Sequence, residues 1–128
     1  GNYDIYVVFV ERGLSLLNKA GRLGFILPHK FFNAQYGEPL RGLLAKGKHL
    51  ADILHFGDQQ VFAGATTYTC LLFLEKGGSK QCRFVKVDDL SAWRSKGDAS
   101  EGSIPATRVT EAEWNFNVGK GAELFERS

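Results

Sequence analysis

A helical stretch followed by a short apolar run constrains the fold of this chain more than any other feature. Over residues 4–19 the apolar side chains fall at helical spacing, and residues 22–27 are then almost continuously apolar until Pro28. A run of that length is typical of a strand buried on both faces of a parallel sheet. Helix, glycine turn and buried strand are half of a βαβ unit, so the sequence predicts an α/β fold.

The following segments extend this alternation. A short helix is expected over residues 37–46, where Pro39 stands in the first turn, and strands are expected over residues 50–56 and 67–75. A glycine-rich turn and then alternating residues over 81–87 predict a hairpin partner for the third strand. The expected architecture is a mostly parallel sheet with one antiparallel hairpin strand, flanked by helices.

The composition changes after residue 87. Residues 95–103 are rich in glycine, serine and charge, which is typical of a linker, and the apolar residues beyond them follow no clear period. The sequence therefore predicts one region at residues 1–87 and a second at residues 88–128. A chain without Met that opens directly before a helix is also expected to be a piece of a longer protein.

Composition excludes some classes of function. The formal net charge of +2 is too mild to indicate the concentrated basic face of many nucleic-acid-binding domains. No apolar run approaches the roughly twenty residues that span a bilayer, and no leader is visible, so a soluble cytoplasmic protein without a membrane partner is expected. Cys70 and Cys82 lack metal-ligand spacing, as do the histidines, so buried free thiols and no metal site are expected.

The segment over residues 54–68 is the strongest candidate for a binding loop. It follows the carboxyl end of a predicted strand, where open α/β sheets bind ligands, and Lys30 is expected at the same edge. Phe62 stands beside Ala63, Gly64 and Ala65, small residues that let a flat partner approach. Stacking of a nucleobase on such a ring contributes about 1–3 kcal/mol. The alternative, a Phe62 ring folded over the core, fits the sequence equally well.

Several consecutive segments resemble the amino-N6-adenine DNA methyltransferases of the Eco57I and TaqI type, which include single-chain restriction-modification enzymes. The likeness covers about residues 2–76. Its segments are YDIYVVFVER at residues 3–12, GRLGFILP at 21–28, FFNAQYG at 31–37, DILHFG at 52–57, VF at 61–62 and ATTY at 65–68.

That resemblance implies the later half of a class I, Rossmann-like methyltransferase fold that uses S-adenosylmethionine. It implies that Phe9 lines the cofactor pocket, that Phe62 stacks on an adenine flipped out of double-stranded DNA, and that Lys30 contacts phosphate. The Asn-Pro-Pro-Tyr and glycine-rich loops of the family are absent from this sequence. No catalytic residue is therefore assigned to this chain, and those loops are expected upstream.

The implied partners are DNA, the missing N-terminal half of the methyltransferase domain and a C-terminal specificity domain. The sequence at Trp114 resembles the start of that specificity domain. The fragment alone is expected to be inactive and not to bind the cofactor tightly. Two other readings stay open: a Rossmann-like methyltransferase that acts on RNA or protein, and a non-catalytic α/β interaction domain.

Overall fold

The computed structural model describes residues 4–59 and 68–116, and its centre is a five-stranded sheet of order β1-β3-β2-β4-β5. The strands are β1 (Arg22–Pro28), β2 (Leu50–His55), β3 (Thr69–Glu75), β4 (Gln81–Lys86) and β5 (Ser100–Pro105). The helices are α1 (Asp4–Leu16), α2 (Glu38–Lys46) and α3 (Leu90–Lys96). Short 3-10 turns follow β1 at His29–Phe32 and Gln35–Gly37, and β5 at Ala106–Arg108.

The α/β class is confirmed, but the prediction of a mostly parallel sheet is wrong. β3 lies between β1 and β2 and pairs antiparallel with both, and β5 pairs antiparallel with β4. Only β2 and β4 are parallel neighbours among the described strands. The reason is length: β2, β3 and their connection occupy residues 50–75, which is shorter than the roughly 30 residues or more of a βαβ unit that returns the chain in parallel. β1, β2 and β4 nevertheless all run in one direction.

The predicted hairpin between β3 and β4 is also wrong. β3 is already flanked by β1 and β2, so neither of its edges is free for β4. The turn after β3 instead crosses the beginning of β2, where the Ser79 N–H donates to the Lys48 carbonyl at 2.8 Å. Gly78 adopts φ +88° in this crossing, a conformation that favours glycine. β4 then runs parallel to β2 on the other side.

β1 is an edge strand rather than a strand buried on both faces. Leu23, Phe25 and Leu27 face the main core, whereas Arg22 and Ile26 on the alternate face are exposed. The prediction of a strand buried on both faces failed because Ile26 is apolar although its side chain is 52% exposed. The burial of β1 alternates, but its sequence is almost continuously apolar.

The two faces of the sheet are covered unequally. α1 and α2 pack on one face, where Val10, Leu40 and Leu44 join the inward residues of the strands in the main core. On the other face, Leu90 and Trp93 of α3 cover a smaller cluster of Phe56, Val85 and Val87. This second cluster holds the end of β2 from the side opposite the main core.

The expected linker contains a strand. Ser100–Pro105 forms β5 and extends the sheet beyond β4, with Ile104 buried in the main core. Trp114, beyond β5, is 2% exposed and packs against Phe31 and Phe32. A hydrogen bond from the Trp114 N–H to the Phe32 carbonyl at 2.7 Å ties this segment to the turn after β1. The division at residue 87 stays a prediction.

Cys70 and Cys82 are free and buried, as expected from the sequence. Burial raises the pKa of both thiols, and the charge of Asp52 adds to the effect on Cys82, whose pKa rises to about 12. In the described ranges, no group of three or more His, Cys, Asp or Glu side chains could hold a metal ion. No helix within these ranges has the length and apolar character needed to cross a membrane.

Candidate functional site

The candidate site lies at the edge of the sheet where β1, β2 and β4 end. Because these strands share a direction, their carboxyl ends bring His29, His55 and Lys86 to one edge. The amino end of β3 lies between the first two and adds Tyr68. Ligands bind at this edge in open α/β sheets, and Lys30 lies at this edge, where the sequence predicts it.

A stacked pair of histidines forms the middle of this edge. The rings of His29 and His55 lie 4.0 Å apart between centroids, with 29° between their planes. The Nε2–H of His29 donates to the Gly57 carbonyl at 3.0 Å, and the Gly57 N–H donates to Nδ1 of His55 at 3.1 Å. Gly57 has φ +59°, so both histidines hold a left-handed turn that favours glycine.

His29 also binds the chain where it returns to the sheet. Its backbone N–H donates to the Tyr68 carbonyl at 2.9 Å. Tyr68 has φ +62°, which is uncommon for a large side chain and is retained only where the surroundings fix it. His29 therefore contacts both described flanks of residues 60–67, through Gly57 on one side and Tyr68 on the other.

The environment keeps His55 neutral. Burial lowers its pKa most, the nearby His29 and Lys86 lower it further, and the resulting pKa is about 3. Since Nδ1 accepts a hydrogen bond from Gly57, the network assigns the remaining proton to Nε2. His55 is thus a fixed hydrogen-bond donor at neutral pH and not a general acid or base.

Two anchors hold the turn that carries His29 and Lys30. Arg41 of α2 is 3% exposed, and its Nη1 donates to the carbonyls of Phe31 and Ala34 at 2.6 and 2.7 Å. Asn33 Nδ2 donates to the Trp114 carbonyl at 3.0 Å. These hydrogen bonds fix the turn to α2 and to the segment after β5, so the shape of the edge is preformed.

The predicted site residues fall in three different places. Lys30 lies exposed at the edge, with Nζ 5.8 Å from the centroid of the Tyr68 ring. Phe9 lies on the face of α1 that points away from the core and is 54% exposed. Phe62 lies outside the described residues. The roles assigned to all three stay predictions.

Part of the chain matches the model of a known family. Residues 1–62 match the model of the family described as Eco57I restriction-modification methylase. The resemblance to the Eco57I-type methylases is thereby confirmed. The Eco57I match covers α1, β1, α2 and β2, which supply His29, Lys30 and His55 to the edge.

Named relatives agree with the Eco57I match. The chain is 41% identical over 96 residues to the type II restriction enzyme and methyltransferase RM.Eco57I of Escherichia coli, covering 75% of this chain and 10% of that protein. It is 33% identical over 81 residues to the type II methyltransferase M.PaeR7I of Pseudomonas aeruginosa, covering 62% of this chain and 14% of that protein. The chain thus spans a small part of these relatives.

A solved structure gives the same fold. The methyltransferase subunit of a type I restriction-modification system from Streptococcus thermophilus superposes with a TM-score of 0.60 at 16% identity. The superposition covers 81% of this chain and 27% of that subunit. At this identity the likeness concerns the fold.

The sequence reasoning missed the histidine pair. The spacing of His29 and His55 in the sequence indicates ordinary loop and strand histidines and no metal site, although each stands at the carboxyl end of a predicted strand. Since such ends meet at one edge when strands share a direction, their proximity could have been predicted from the same pattern that placed Lys30. The hydrogen bonds through Gly57 have no comparable sequence signal.

Proposed function

We propose that the protein containing this chain is a DNA methyltransferase of a restriction-modification system that transfers a methyl group from S-adenosylmethionine to adenine N6. The observation that carries the proposal is the Eco57I match, because it falls on the elements that build the site edge. The donor-rich, neutral-to-basic character of that edge, with Lys30, Lys86 and the neutral His55, suits a polyanionic substrate. A cytoplasmic location follows from such a substrate.

This chain's part in the reaction is to bind and position substrate. S-adenosylmethionine supplies the methyl group when bound, and Phe9 is the residue here that would line its pocket. The Phe9 ring fits that role because it is accessible. Phe62 would stack on the flipped adenine, and Lys30 would contact phosphate. The proton-accepting and methyl-orienting groups belong to the upstream loops.

The exposed face of α1 supports the proposal of a missing N-terminal half. Ile5, Val8, Phe9 and Leu16 are each more than half exposed, at 56%, 59%, 54% and 77%. Contiguous apolar surface of this kind marks a contact with another part of a protein. We assign that contact to the upstream half of the methyltransferase domain, and a C-terminal specificity domain would follow this chain.

The activity is tested with the full-length protein and S-adenosylmethionine carrying a labelled methyl group. Mass spectrometry of digested DNA is expected to find N6-methyladenine within one fixed sequence. Label in RNA or protein, with none in DNA, would establish the first rival function. Absence of transfer to any of the three, with the cofactor bound and the protein folded, would favour an interaction domain.

The role of Phe62 is tested by comparing Phe62→Ala with Phe62→Trp in the full-length protein. If the ring stacks on the flipped adenine, Phe62→Ala should lower kcat/KM by roughly 10- to 100-fold, the equivalent of about 1–3 kcal/mol of stacking. Its melting temperature should stay near that of the wild type. Phe62→Trp should retain most activity. A large drop in melting temperature with normal turnover would mean that the ring belongs to the core.

A further inference from the structure

A small cavity beside the histidine pair carries an inference that rests on the proposed function and deepens it. The cavity has a volume of about 240 Å³ and opens at the ends of β2 and β4. Its floor consists of Phe32, Phe84 and Trp114, which are 4%, 3% and 2% exposed. Phe84 stacks on Phe116 with centroids 4.5 Å apart and 5° between the ring planes. Because these rings pack against one another, the floor of the cavity is preformed.

The polar groups of the cavity are hydrogen-bond donors. His55 lines it, and Nδ1 of this residue is already occupied by the Gly57 N–H, which leaves its Nε2–H to donate. No partner for this N–H is present among residues 4–59 and 68–116. The pKa of His55, which burial and the nearby His29 and Lys86 lower to about 3, keeps this donor neutral at physiological pH.

Asn115 supplies a second donor, because its orientation is fixed by Asn33. Asn33 Nδ2 donates both to the Trp114 carbonyl at 3.0 Å and to Asn115 Oδ1 at 2.9 Å. The carbonyl can only accept, so this pair of bonds sets the orientation of both amides. Nδ2 of Asn115 then has no partner in the described part of the chain and is free to donate.

Lys86 supplies the charge. Its Nζ lies 3.8 Å from Asp88 Oδ1, and the two side chains are 47% and 67% exposed. An exposed ion pair at that distance contributes little to stability, so the Lys86 ammonium group can leave Asp88 and bind a ligand instead. A neutral imidazole N–H, an amide NH₂ and an ammonium group together suit a small anion with several acceptor oxygens.

We propose that this cavity binds one backbone phosphate of the DNA substrate through Lys86, His55 and Asn115. Most protein contacts to DNA that set its orientation are made to phosphates. Lys30 follows β1 and Lys86 ends β4, three strand spacings away in the sheet, which corresponds to roughly 14 Å. The two lysines therefore contact different phosphates on either side of the histidine pair.

The first test is the salt dependence of DNA binding by the full-length protein. Each phosphate contact that is neutralised contributes about 0.9 to the slope of log K against log salt concentration. Lys86→Gln should lower the magnitude of this slope by about 1, and Lys86→Arg should leave it unchanged. Lys80→Gln is the matched control, because Lys80 is exposed at the opposite end of β4 and should not alter the slope.

A second variant tests the geometry. Asn115→Asp keeps the oxygen that accepts from Asn33 and replaces the free NH₂ with a charged oxygen. A carboxylate facing the phosphate should weaken DNA binding by about tenfold or more. Melting temperatures close to the wild-type value for all variants exclude unfolding as the cause.

Single neutral methylphosphonate substitutions along the DNA identify the phosphate. One position should weaken wild-type binding and have no further effect on Lys86→Gln. A Lys86→Gln slope equal to that of the wild type, or the lack of such a position, overturns this inference while the DNA methyltransferase activity stands. A full-length protein that methylates RNA or protein and does not bind DNA overturns the inference and the proposed function together.

Discussion

Arg41 joins three parts of the chain through one buried guanidinium group. Besides its bonds to Phe31 and Ala34, its Nε donates to the Glu111 carbonyl at 2.8 Å. A lysine keeps the charge but cannot reproduce the planar set of donors. Arg41→Lys should therefore lower the free energy of unfolding by about 2–4 kcal/mol, since buried acceptors lose charged partners.

Denaturant unfolding of the full-length protein, monitored by tryptophan fluorescence, measures this loss. Arg94→Lys is the matched control, because Arg94 is exposed on α3. That control should stay within about 0.5 kcal/mol of the wild type. Equal stability of the two variants would show that the Arg41 bonds contribute nothing beyond the charge.

His55 makes the stability of the fold depend on pH. Its pKa falls from the ordinary value of 6.5 to about 3 in the folded protein, so below pH 6.5 the unfolded chain binds a proton that the folded protein does not. The free energy of unfolding therefore falls as the pH is lowered from about 6.5 towards 3, by at most about 1.4 kcal/mol per pH unit from this one group.

Thermal unfolding of wild type and His55→Asn, in which the Asn Oδ1 can accept the Gly57 N–H, measures this contribution. The wild type should lose more stability than the variant between pH 6.5 and pH 4.5. The comparison at pH 8, where His55 is neutral in both states, gives the cost of the substitution itself. Identical slopes of stability against pH for the two proteins would contradict the lowered pKa of His55 in the folded protein.

At the scale of elements, two glycines differ in the space available for a side chain. The backbone at Gly37 lies too close to Phe31 for a Cβ, whereas Gly42 has room for one. A Cβ on Gly37 would collide with the carbonyl oxygen of Phe31 and lie 2.7 Å from its Cα, whereas a Cβ on Gly42 in α2 would meet only Glu111 atoms at 3.7 Å. Gly37→Ala should shift the turn that carries His29 and destabilise the protein by about 1–3 kcal/mol. Gly42→Ala should stabilise it by about 0.5–1 kcal/mol.

The melting temperatures of the two variants should thus move in opposite directions. If the full-length protein binds DNA as proposed, its DNA affinity should fall for Gly37→Ala and stay unchanged for Gly42→Ala, because of these two glycines only Gly37 supports the site edge. Equal effects of the two substitutions would mean that the turn after β1 relaxes freely around an added methyl group.

Elements also mark the limit of sequence-based prediction for this chain. β2 and β3 were predicted near their observed positions because their apolar composition is local information. The place of β4 beside β2 depends on β3 having no free edge, which is a non-local fact. β5 was missed because only Ile104 of its residues is buried, so Gly102 and the serines resembled a linker.

Over the whole molecule, the site was predictable in outline and not in detail. The edge formed by strand ends follows from the chain order, and Lys30 lies at that edge near Tyr68. The cavity beyond His55 depends on Trp114 returning from after β5 to pack on Phe32, a contact between residues far apart in the sequence. Periodicity carries no information on such contacts, so the donors that line the cavity could not be grouped.

The outward face of α1 leads to a prediction about the molecule as a whole. Val10 and Leu14 are buried on one side of the helix, while Ile5, Val8 and Phe9 on the other side are exposed. If the upstream half of the domain covers these residues, Val8→Lys places a charge in an apolar contact and should lower the stability of the full-length protein by about 2 kcal/mol or more. A free surface would tolerate the lysine within about 0.5 kcal/mol.

Glu11→Lys is the matched control, since it adds the same side chain to an exposed polar position of the same helix. Chemical unfolding of both full-length variants should separate them, with only Val8→Lys destabilised. Hydrogen exchange of the α1 amides in Val8→Lys should also become faster, because the contact with the upstream half would be weakened. Equal stability of the two variants would mean that the exposed apolar residues of α1 are not covered in the full-length protein. The proposed contact with the upstream half would then be wrong.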